Sequence, residues 1–309
     1  MLEDLIESVN VLPDNAGYWF VRTDSGENFE TFLKNDFIGI GWNEITLEDL
    51  IKLTPDEIWL KIAELENLDI TTASGKAAAT SILNKLYIFK NLKKNDVIVM
   101  PSRSSSRYAF GLVNDSGIYN DFDDKECSYY KRRKVRWREV KNVNELDPIF
   151  YRVKNTRHSI SDISDYQHAI DNVTNSLYIK DGIGHFVLDI NLAGNIHIKS
   201  LLGLIESIQD LSEIIDKDFN LHEDPENTAI KLNLQSPGKI EIILAKGITL
   251  IILAAVLSTA AGCHIDSNKV TPADQRELDS IVQVNKPLLD KINSAMDTLR
   301  VDTNRFLSK

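Results

Sequence analysis

The sequence predicts an α+β protein in which a small β-barrel with flanking helices precedes an α/β region with one very apolar helix. Short aromatic segments with two-residue alternation, such as "RYAFGLVND", are typical of strands, and segments with helical apolar spacing lie between them. The pattern changes after residue 155, where longer strands and helices follow. With 309 residues and 43% hydrophobic content, the chain can form two ordinary cores.

Charge and cysteine content narrow the class of protein. The formal net charge of −11 argues against a surface that is basic throughout and binds nucleic acid without selectivity. Cys127 and Cys263 lie too far apart for a CxxC metal site, and the acidic start "MLEDLIESVN" is unlike a secretory signal. We therefore expect a reducing, cytoplasmic setting.

The first elements alternate between strand and helix. "GYWFV" predicts an aromatic strand, and Phe29, Phe32 and Leu33 follow it at helical spacing. "LEDLIKLTPDEIWLKIAEL" predicts one or two helices broken near Pro55, and "ASGKAAATSILNKLYIFKNL" predicts another. The charged turn "KKND" then leads into the strand "VIVM".

The segment "FIGIGW" predicts a strand with an unusual face. Ile38, Ile40 and Trp42 would share one side, while Gly39 and Gly41 leave the other side bare. Such a bare side allows close approach by another backbone or by a flat ligand.

A basic strand, "YKRRKVRWREV", is predicted to place Val135 and Trp137 on one face. Its other face would present phosphate-binding donors at intervals of about 6.5–7 Å. These donors are Arg132, Lys134, Arg136 and Arg138. The alternative is a solvated edge strand whose charges block aggregation. A preceding acidic run would neutralise the patch, which favours a small nucleotide or one flipped base over a long duplex; it comprises Asp121, Asp123, Asp124 and Glu126.

Five of these segments, "YWFVR", "IGIGW", "NLKKNDVIVMPS", "YAFGLV" and "YYKRRKVRW", resemble an EVE-like domain in order and spacing. That family belongs to the PUA/YTH/ASCH group of small β-barrels. The resemblance is strongest to recognition modules of bacterial modification-dependent restriction proteins. It covers residues 14–155 and implies a ligand-binding domain there. From the pattern of the remaining segments we expect residues 156–309 to form an α/β effector or oligomerisation region.

The resemblance implies recognition without catalysis or cofactor: a flat modified base or nucleotide held between aromatic rings and read at its edges. We expect Trp19, Trp42 and Tyr108 near that pocket. The segment "PSRSSSRY" would supply selective hydroxyl groups, foremost Ser102 and Ser104. The alternatives are that the aromatic residues are core and that the serine run is a mobile surface loop.

The second region shows no catalytic signature. A nuclease needs an Asp followed by Glu-x-Lys on the next strand, and "EIILAK" spaces Glu241 and Lys246 wrongly after Asp189. The histidines lack paired metal-ligand spacing. We therefore expect neither an enzyme nor a metal site. "GHFVLDINL" and "IKLNLQ" predict strands, and "IKSLLGLIESIQDLSEII" predicts an amphipathic helix.

Residues 247–265, "GITLIILAAVLSTAAGCHI", include no Asp, Glu, Lys or Arg. A helix of that length would span about 28 Å, close to the thickness of a bilayer core. Its Thr, Ser and small residues, and flanks without an aromatic belt, favour a helix buried in the protein or in an oligomer over a transmembrane helix. Both alternatives remain open from the sequence.

The tail predicts a helix that begins at Thr271–Pro272 and is kinked or split by Pro287. Its apolar stripe indicates either a homo-oligomer or packing within the chain. Taken with these features, the resemblance to EVE-like modules implies a cytoplasmic sensor of a modified base or nucleotide in bacterial anti-phage defence. The alternative is a ligand-gated effector that disrupts the inner membrane through residues 247–265.

Overall fold

The computed structural model describes residues 3–7, 9–123, 127–154, 158–223, 228–233, 238–263 and 270–307. The strands are β1 (Asn10–Val11), β2 (Tyr18–Val21), β3 (Phe37–Ile40), β4 (Val97–Pro101), β5 (Arg107–Asn120), β6 (Lys131–Asn142), β7 (Ile160–Asp162), β8 (Leu177–Lys180), β9 (Ile183–Ile190), β10 (Ala229–Asn233) and β11 (Gly238–Ala245). The helices are α1 (Glu3–Glu7), α2 (Phe29–Lys34), α3 (Leu47–Lys52), α4 (Pro55–Leu65), α5 (Ala73–Lys90), α6 (Phe150–Val153), α7 (Gln167–Thr174), α8 (Ile198–Phe219), α9 (Ile248–Ala260), α10 (Pro272–Val284) and α11 (Lys286–Leu299).

The chain divides into two units. The first unit contains residues 15–174, and the second contains residues 1–14 and 175–309. The boundary lies beyond the expected position after residue 155, because β7 pairs with β2 and α7 adds Ile170 and Val173 to the first unit's core. Residues 1–14 fall in the second unit because β1 pairs with β8.

The first unit is built on a six-stranded sheet in the order β3-β6-β5-β4-β2-β7. Only the β2–β4 pair is parallel. The sheet curls into a half-barrel, and in the described residues its edge strands β3 and β7 are not paired with each other. The expected small β-barrel is therefore present as an open half-barrel. One cluster of buried side chains, with Phe32, Ile38 and Leu86, also contains residues of α2 to α5, and a second contains Tyr108, Phe110 and Phe150.

Local signals in the sequence explain the helices on this sheet. Thr46 and Thr54 cap α3 and α4, and each forms a reciprocal capping box with an acidic residue three positions later. Pro55 occupies the first position of α4, so the predicted break there is confirmed. In the turn before β4, the buried carboxylate of Asp96 accepts backbone N–H bonds from Gly17 at 2.8 Å and from Lys93 at 2.9 Å.

The second unit contains a five-stranded sheet in the order β1-β8-β9-β11-β10. The predicted strands at β9 and β10 are present, although Leu234 and Gln235 lie outside the described residues. A two-residue turn at Asp181 and Gly182, with φ of 52° and 75°, joins β8 to β9. Alternate residues of β9 and β11 share a core with α8, α9 and α11.

The apolar helix is shorter than predicted. α9 has 13 residues, Ile248–Ala260, instead of spanning 247–265; a turn follows, and residues 264–269 lie outside the described residues. Residues 249–258 are all buried in the second unit's core. Among the helices that the structure describes, none combines the length and the apolar character needed to cross a membrane.

The apolar stripe of the tail also packs within the unit. Pro287 splits the tail into α10 and α11, as predicted. The stripe joins the core around α9, so intramolecular packing accounts for it; its buried members are Leu278, Ile281, Leu289, Ile292, Met296 and Leu299. The homo-oligomer remains a prediction, but the apolar stripe of the tail no longer supports it.

We predict that Glu223→Ala destabilises the second unit. The buried Glu223 carboxylate accepts the backbone N–H groups of Ile248 at 2.9 Å and Thr249 at 3.1 Å, at the start of α9. Loss of both acceptors leaves buried donors and costs about 1–3 kcal/mol of the free energy of unfolding. Urea unfolding followed by circular dichroism measures this loss. Glu206→Ala, at an exposed position on α8, is the control; equal midpoints for the two variants would contradict the prediction.

Candidate ligand-binding cavity

A cavity of about 310 Å³ lies in the first unit where the half-barrel is open. Its volume falls at the lower end of the range of about 300–1,000 Å³ for small-molecule sites. Residues of both edge strands line this cavity, so it occupies the opening between β3 and β7. It is lined by Val21, Arg22, Asp24, Ser25, Gly39, Ile40, Gly41, Trp42, Phe89, Tyr129, Ser159 and Ile160.

Trp42 is the cavity residue with the most unusual backbone. Strand β3 ends at Ile40, and Trp42 adopts φ of 54°, a left-handed conformation that bulky residues rarely take. It therefore does not continue the alternation of Ile38 and Ile40, which corrects the expected strand geometry. Its carbonyl accepts the ammonium of Lys131 at 2.7 Å and the N–H of Ile45 at 3.0 Å.

In each of the other three tryptophans, the indole N–H donates a hydrogen bond within the chain. That of Trp19 donates to Asp96 at 3.1 Å, that of Trp59 to Thr80 at 3.0 Å, and that of Trp137 to the carbonyl of Phe32 at 3.0 Å. The indole N–H of Trp42 donates to no group in the part of the chain that the structure describes. Trp42 is thus the tryptophan that combines a cavity position with a free donor.

Tyr129 forms the second aromatic wall, against the glycines of the "FIGIGW" segment. A Cβ atom on Gly39 would come within 2.9 Å of Tyr129 Cβ, and one on Gly41 would meet the Tyr129 ring at 3.5 Å. The close approach expected over these glycines is therefore made by a ring of the chain itself. Burial, with the charge of Asp24 as a smaller cause, raises the pKa of Tyr129 to about 12, so its hydroxyl stays protonated at neutral pH.

Asn43 connects the two aromatic segments. Its side-chain amide donates to the carbonyl of Ser128 at 2.7 Å, and its oxygen accepts the N–H of Tyr130 at 3.2 Å. The segment that carries Trp42 and the segment that carries Tyr129 are therefore fixed to each other.

Three consecutive cations of β6 are buried and donate to backbone carbonyls. Lys131 is 1% exposed, and Arg132 and Arg133 are each 5% exposed. Arg133 donates to the carbonyls of Lys90 and Leu92, at the end of α5. Arg132 donates to the carbonyls of Tyr129, Asp123 and Cys127 and forms an ion pair with Asp121 at 2.5 Å. The predicted neutralisation by the acidic run is thus present at Asp121, while Asp124 and Glu126 lie outside the described residues.

A left-handed turn lies at the mouth of the cavity. Asp24, Ser25 and Gly26 have φ of 50°, 57° and 93°. The buried Thr23 carbonyl accepts the N–H groups of Gly26 at 3.0 Å and Asn28 at 3.1 Å. A Cβ atom on Gly26 would lie 2.2 Å from the backbone nitrogen of Arg103, so only glycine allows the turn to pack there.

The expected aromatic and hydroxyl residues are dispersed. Trp42 lines the cavity, whereas Trp19 is held by Asp96. Tyr108 is completely buried with Phe20, Phe110 and Phe150 in the second hydrophobic cluster, which is the core alternative. Ser102 is buried and accepts the N–H of Arg107 at 2.9 Å, and Ser104 is exposed in a 3₁₀ turn with φ of 58°. Neither serine lines the cavity.

The four residues expected to bind phosphate differ in their burial and in their contacts. Arg132 is buried and engaged in the hydrogen bonds and the ion pair described above. Lys134 is half-buried, with Nζ 5.6 Å from the centre of the Tyr119 ring, and Arg136 is exposed. A β-bulge opposite Phe110 and Gly111 interrupts the alternation at Arg138, which is half-buried. Val135 and Trp137 face the first hydrophobic cluster, as predicted.

Sequence reasoning missed Tyr129, Asp24 and Phe89 as cavity residues. Tyr129 could have been found, because "YYK" directly precedes the strand that pairs with the glycines of "FIGIGW". Asp24 and Phe89 carry no comparable signal, since the curl of the sheet and the docking of α5 bring them to the cavity.

A family model and a solved structure each match part of the chain. The family model described as a domain of unknown function, DUF8426, matches residues 19–164, slightly under half of the chain. No curated protein has a matching sequence. Among solved structures, the YTH domain of the Zygosaccharomyces rouxii MRB1 protein in complex with N6-methyladenosine RNA is similar at 16% identity. The match covers 52% of this chain and 86% of that domain, with a TM-score of 0.29, and a superposition of that quality assigns neither fold nor ligand.

We predict a pH-dependent stability contribution from Lys131. Burial lowers its pKa to about 8. The unfolded lysine titrates near its ordinary value of about 10.4, so between these values the unfolded chain holds a proton that the folded chain has lost. The penalty of burying the charged lysine is complete below pH 8, and the free energy of unfolding rises by up to about 1.4 kcal/mol per pH unit above it.

Lys131→Met removes this pH-dependent contribution to the free energy of unfolding. Urea unfolding of both proteins at pH 7, 8, 9 and 10 should therefore show a stability difference that changes in favour of the unmodified protein as pH rises. A constant difference across this range would contradict the account of Lys131.

Proposed function

We propose that the first unit binds a modified nucleobase, in a nucleic acid or a free nucleotide, in the cavity between Trp42 and Tyr129. The observation that carries this proposal is Trp42: a bulky residue held at positive φ, with a free indole N–H, at the wall of a cavity. Such backbone strain persists where surrounding contacts enforce it, and it concentrates at ligand sites.

The chemistry of the lining supports a flat ligand. Gly39 and Gly41 allow the Tyr129 ring to pack against them, and Val21, Ile40, Phe89 and Ile160 are buried apolar residues of the lining. Stacking a base on an aromatic ring contributes about 1–3 kcal/mol. The polar residues of the lining, among them Asp24, Ser25 and Ser159, are available to read the edges of the base.

The wider role rests on the resemblance of the five sequence segments to EVE-like modules of bacterial modification-dependent restriction proteins. On that basis we propose a binding protein, not an enzyme, that senses modified foreign nucleic acid in anti-phage defence. The second unit would act as its effector or oligomerisation part.

If the ligand is part of a strand, Lys134 and Arg136 are the residues proposed to contact its phosphates. They face away from Val135 on β6, and Arg136 is exposed. The buried Arg132 and the half-buried Arg138, initially grouped with them, serve the fold in this proposal.

We predict that Trp42→Ala weakens nucleoside binding while the protein stays folded. Removing the ring costs about 1–3 kcal/mol of binding, equivalent to about 5- to 150-fold in affinity. Isothermal titration calorimetry with 5-methyl-2′-deoxycytidine, 5-hydroxymethyl-2′-deoxycytidine and N6-methyl-2′-deoxyadenosine tests this. Thermal unfolding of the same sample verifies the fold.

Trp59→Ala is the matched control, because Trp59 is a half-buried tryptophan of the same unit outside the cavity. Binding lost equally in both variants, or a collapsed unfolding transition in Trp42→Ala, would contradict the assignment. Absence of binding by every nucleoside in the panel would overturn the proposed function.

We predict that Arg136→Glu weakens binding of a short single-stranded oligonucleotide that contains the preferred base and makes it less sensitive to salt. Each lost phosphate contact lowers the slope of log affinity against log salt by about 0.7 for single strands. Fluorescence anisotropy at 50 to 200 mM salt measures both effects. Lys76→Glu, an exposed charge reversal on α5, is the control, and identical behaviour of the two variants would show that β6 makes no phosphate contact.

A further inference from the structure

We propose that Asp24 determines which bases enter the cavity, by accepting a hydrogen bond from an amino group on the edge of the base. The inference rests on the proposed function and names its ligand class: amino-bearing bases such as cytosine and adenine derivatives, in preference to analogues with a carbonyl at the same position.

The position of Asp24 is fixed before any ligand binds. The turn from Thr23 to Asn28 is closed by hydrogen bonds to the buried Thr23, whose hydroxyl also reaches the carbonyl of Pro101 at 3.4 Å. Gly26 packs against the backbone of Arg103. The backbone that carries Asp24 is therefore already ordered, so only the side chain must be ordered when its carboxylate accepts a hydrogen bond from a ligand.

The carboxylate of Asp24 has acceptor capacity to spare. Within the described residues it takes part in no hydrogen bond or ion pair, although it lines the cavity. It lies near enough to Tyr129, which also lines the cavity, for its charge to raise the pKa of that phenol together with burial. A free carboxylate therefore shares the cavity with the ring on which a base would stack.

The cations around the cavity are directed elsewhere. Arg22 donates to the carbonyl of Lys154 at 2.9 Å. Lys85 lies 5.5 Å from the centre of the Trp42 ring, and Lys131 is bound to the Trp42 carbonyl. Within the described residues none of these cations forms an ion pair with Asp24. The carboxylate oxygens of Asp24 can therefore accept a hydrogen bond from a ligand.

An ionised carboxylate only accepts hydrogen bonds, so it attracts an exocyclic amino group and repels a carbonyl oxygen in the same place. 5-Methyl-2′-deoxycytidine and thymidine form a pair for this test, because both carry the 5-methyl group. Thymidine has a carbonyl in place of the amino group at position 4 and an N–H in place of the acceptor at N3. 2′-Deoxyadenosine and 2′-deoxyinosine provide the corresponding purine pair, with the same two differences at position 6 and at N1.

The experiment measures the affinity of the full chain for both members of each pair by isothermal titration calorimetry. We expect a preference of about tenfold or more for the amino member, the range that one good base-edge contact provides. In Asp24→Asn the preference should fall to about threefold or less, because an amide can also donate to a carbonyl. Asparagine tolerates positive φ, so the turn is retained.

Asp36→Asn is the control: Asp36 is also exposed with φ of 54°, but it does not line the cavity. Equal affinities for the two members of a pair in the unmodified protein, or an unchanged preference in Asp24→Asn, would overturn the role of Asp24 while leaving the cavity as a base-binding site. If no member of either pair binds, the proposed function fails and this inference fails with it.

Discussion

The first unit depends on three cations that are buried side by side. Lys131, Arg132 and Arg133 occupy the start of β6 and send their charges to different backbone carbonyls. Burying a charge is costly unless hydrogen bonds replace water, and carbonyl oxygens at the ends of a loop and a helix are suitable acceptors. Each cation thereby attaches a different segment to the sheet.

The segments attached in this way form the cavity. Lys131 holds the loop that carries Trp42, and Arg132 holds the segment that carries Tyr129. Arg133 holds the end of α5, which carries Phe89. The half-barrel is open between β3 and β7, and the attached segments border the cavity in that opening. The fold and the cavity thus share the same hydrogen bonds.

Sequence patterns predicted the local elements of the first unit well. The alternation along most of β5 and β6 and the break at Pro55 were sufficient, because neighbouring residues determine them, whereas the strand geometry expected beyond Ile40 was wrong. The functions of the cations were not predictable in this way. Alternation places Arg132 on a face, but only the curl of the sheet decides whether that face meets solvent or backbone carbonyls.

The same distinction explains the aromatic residues and the apolar helix. Tyr108, Trp19 and Trp42 are all aromatic residues in or beside strands, and only tertiary structure separates the core ring, the ring held by Asp96 and the cavity ring. An uncharged run of 19 residues suggested a long helix, but the chain turns after Ala260. Hydrophobicity indicated burial of α9 without indicating its length.

The four indole N–H groups provide the most direct measurement of the central claim that Trp42 forms a wall of the ligand site. Each gives its own signal in a ¹H–¹⁵N correlation spectrum, and those of Trp19, Trp59 and Trp137 are fixed by internal hydrogen bonds. Titration with 5-methyl-2′-deoxycytidine, or with N6-methyl-2′-deoxyadenosine if that nucleoside binds more tightly, should shift the Trp42 signal and leave the other three nearly unchanged. A Trp42 signal that stays fixed at a saturating concentration of ligand, or shifts centred on Trp19, would contradict the account.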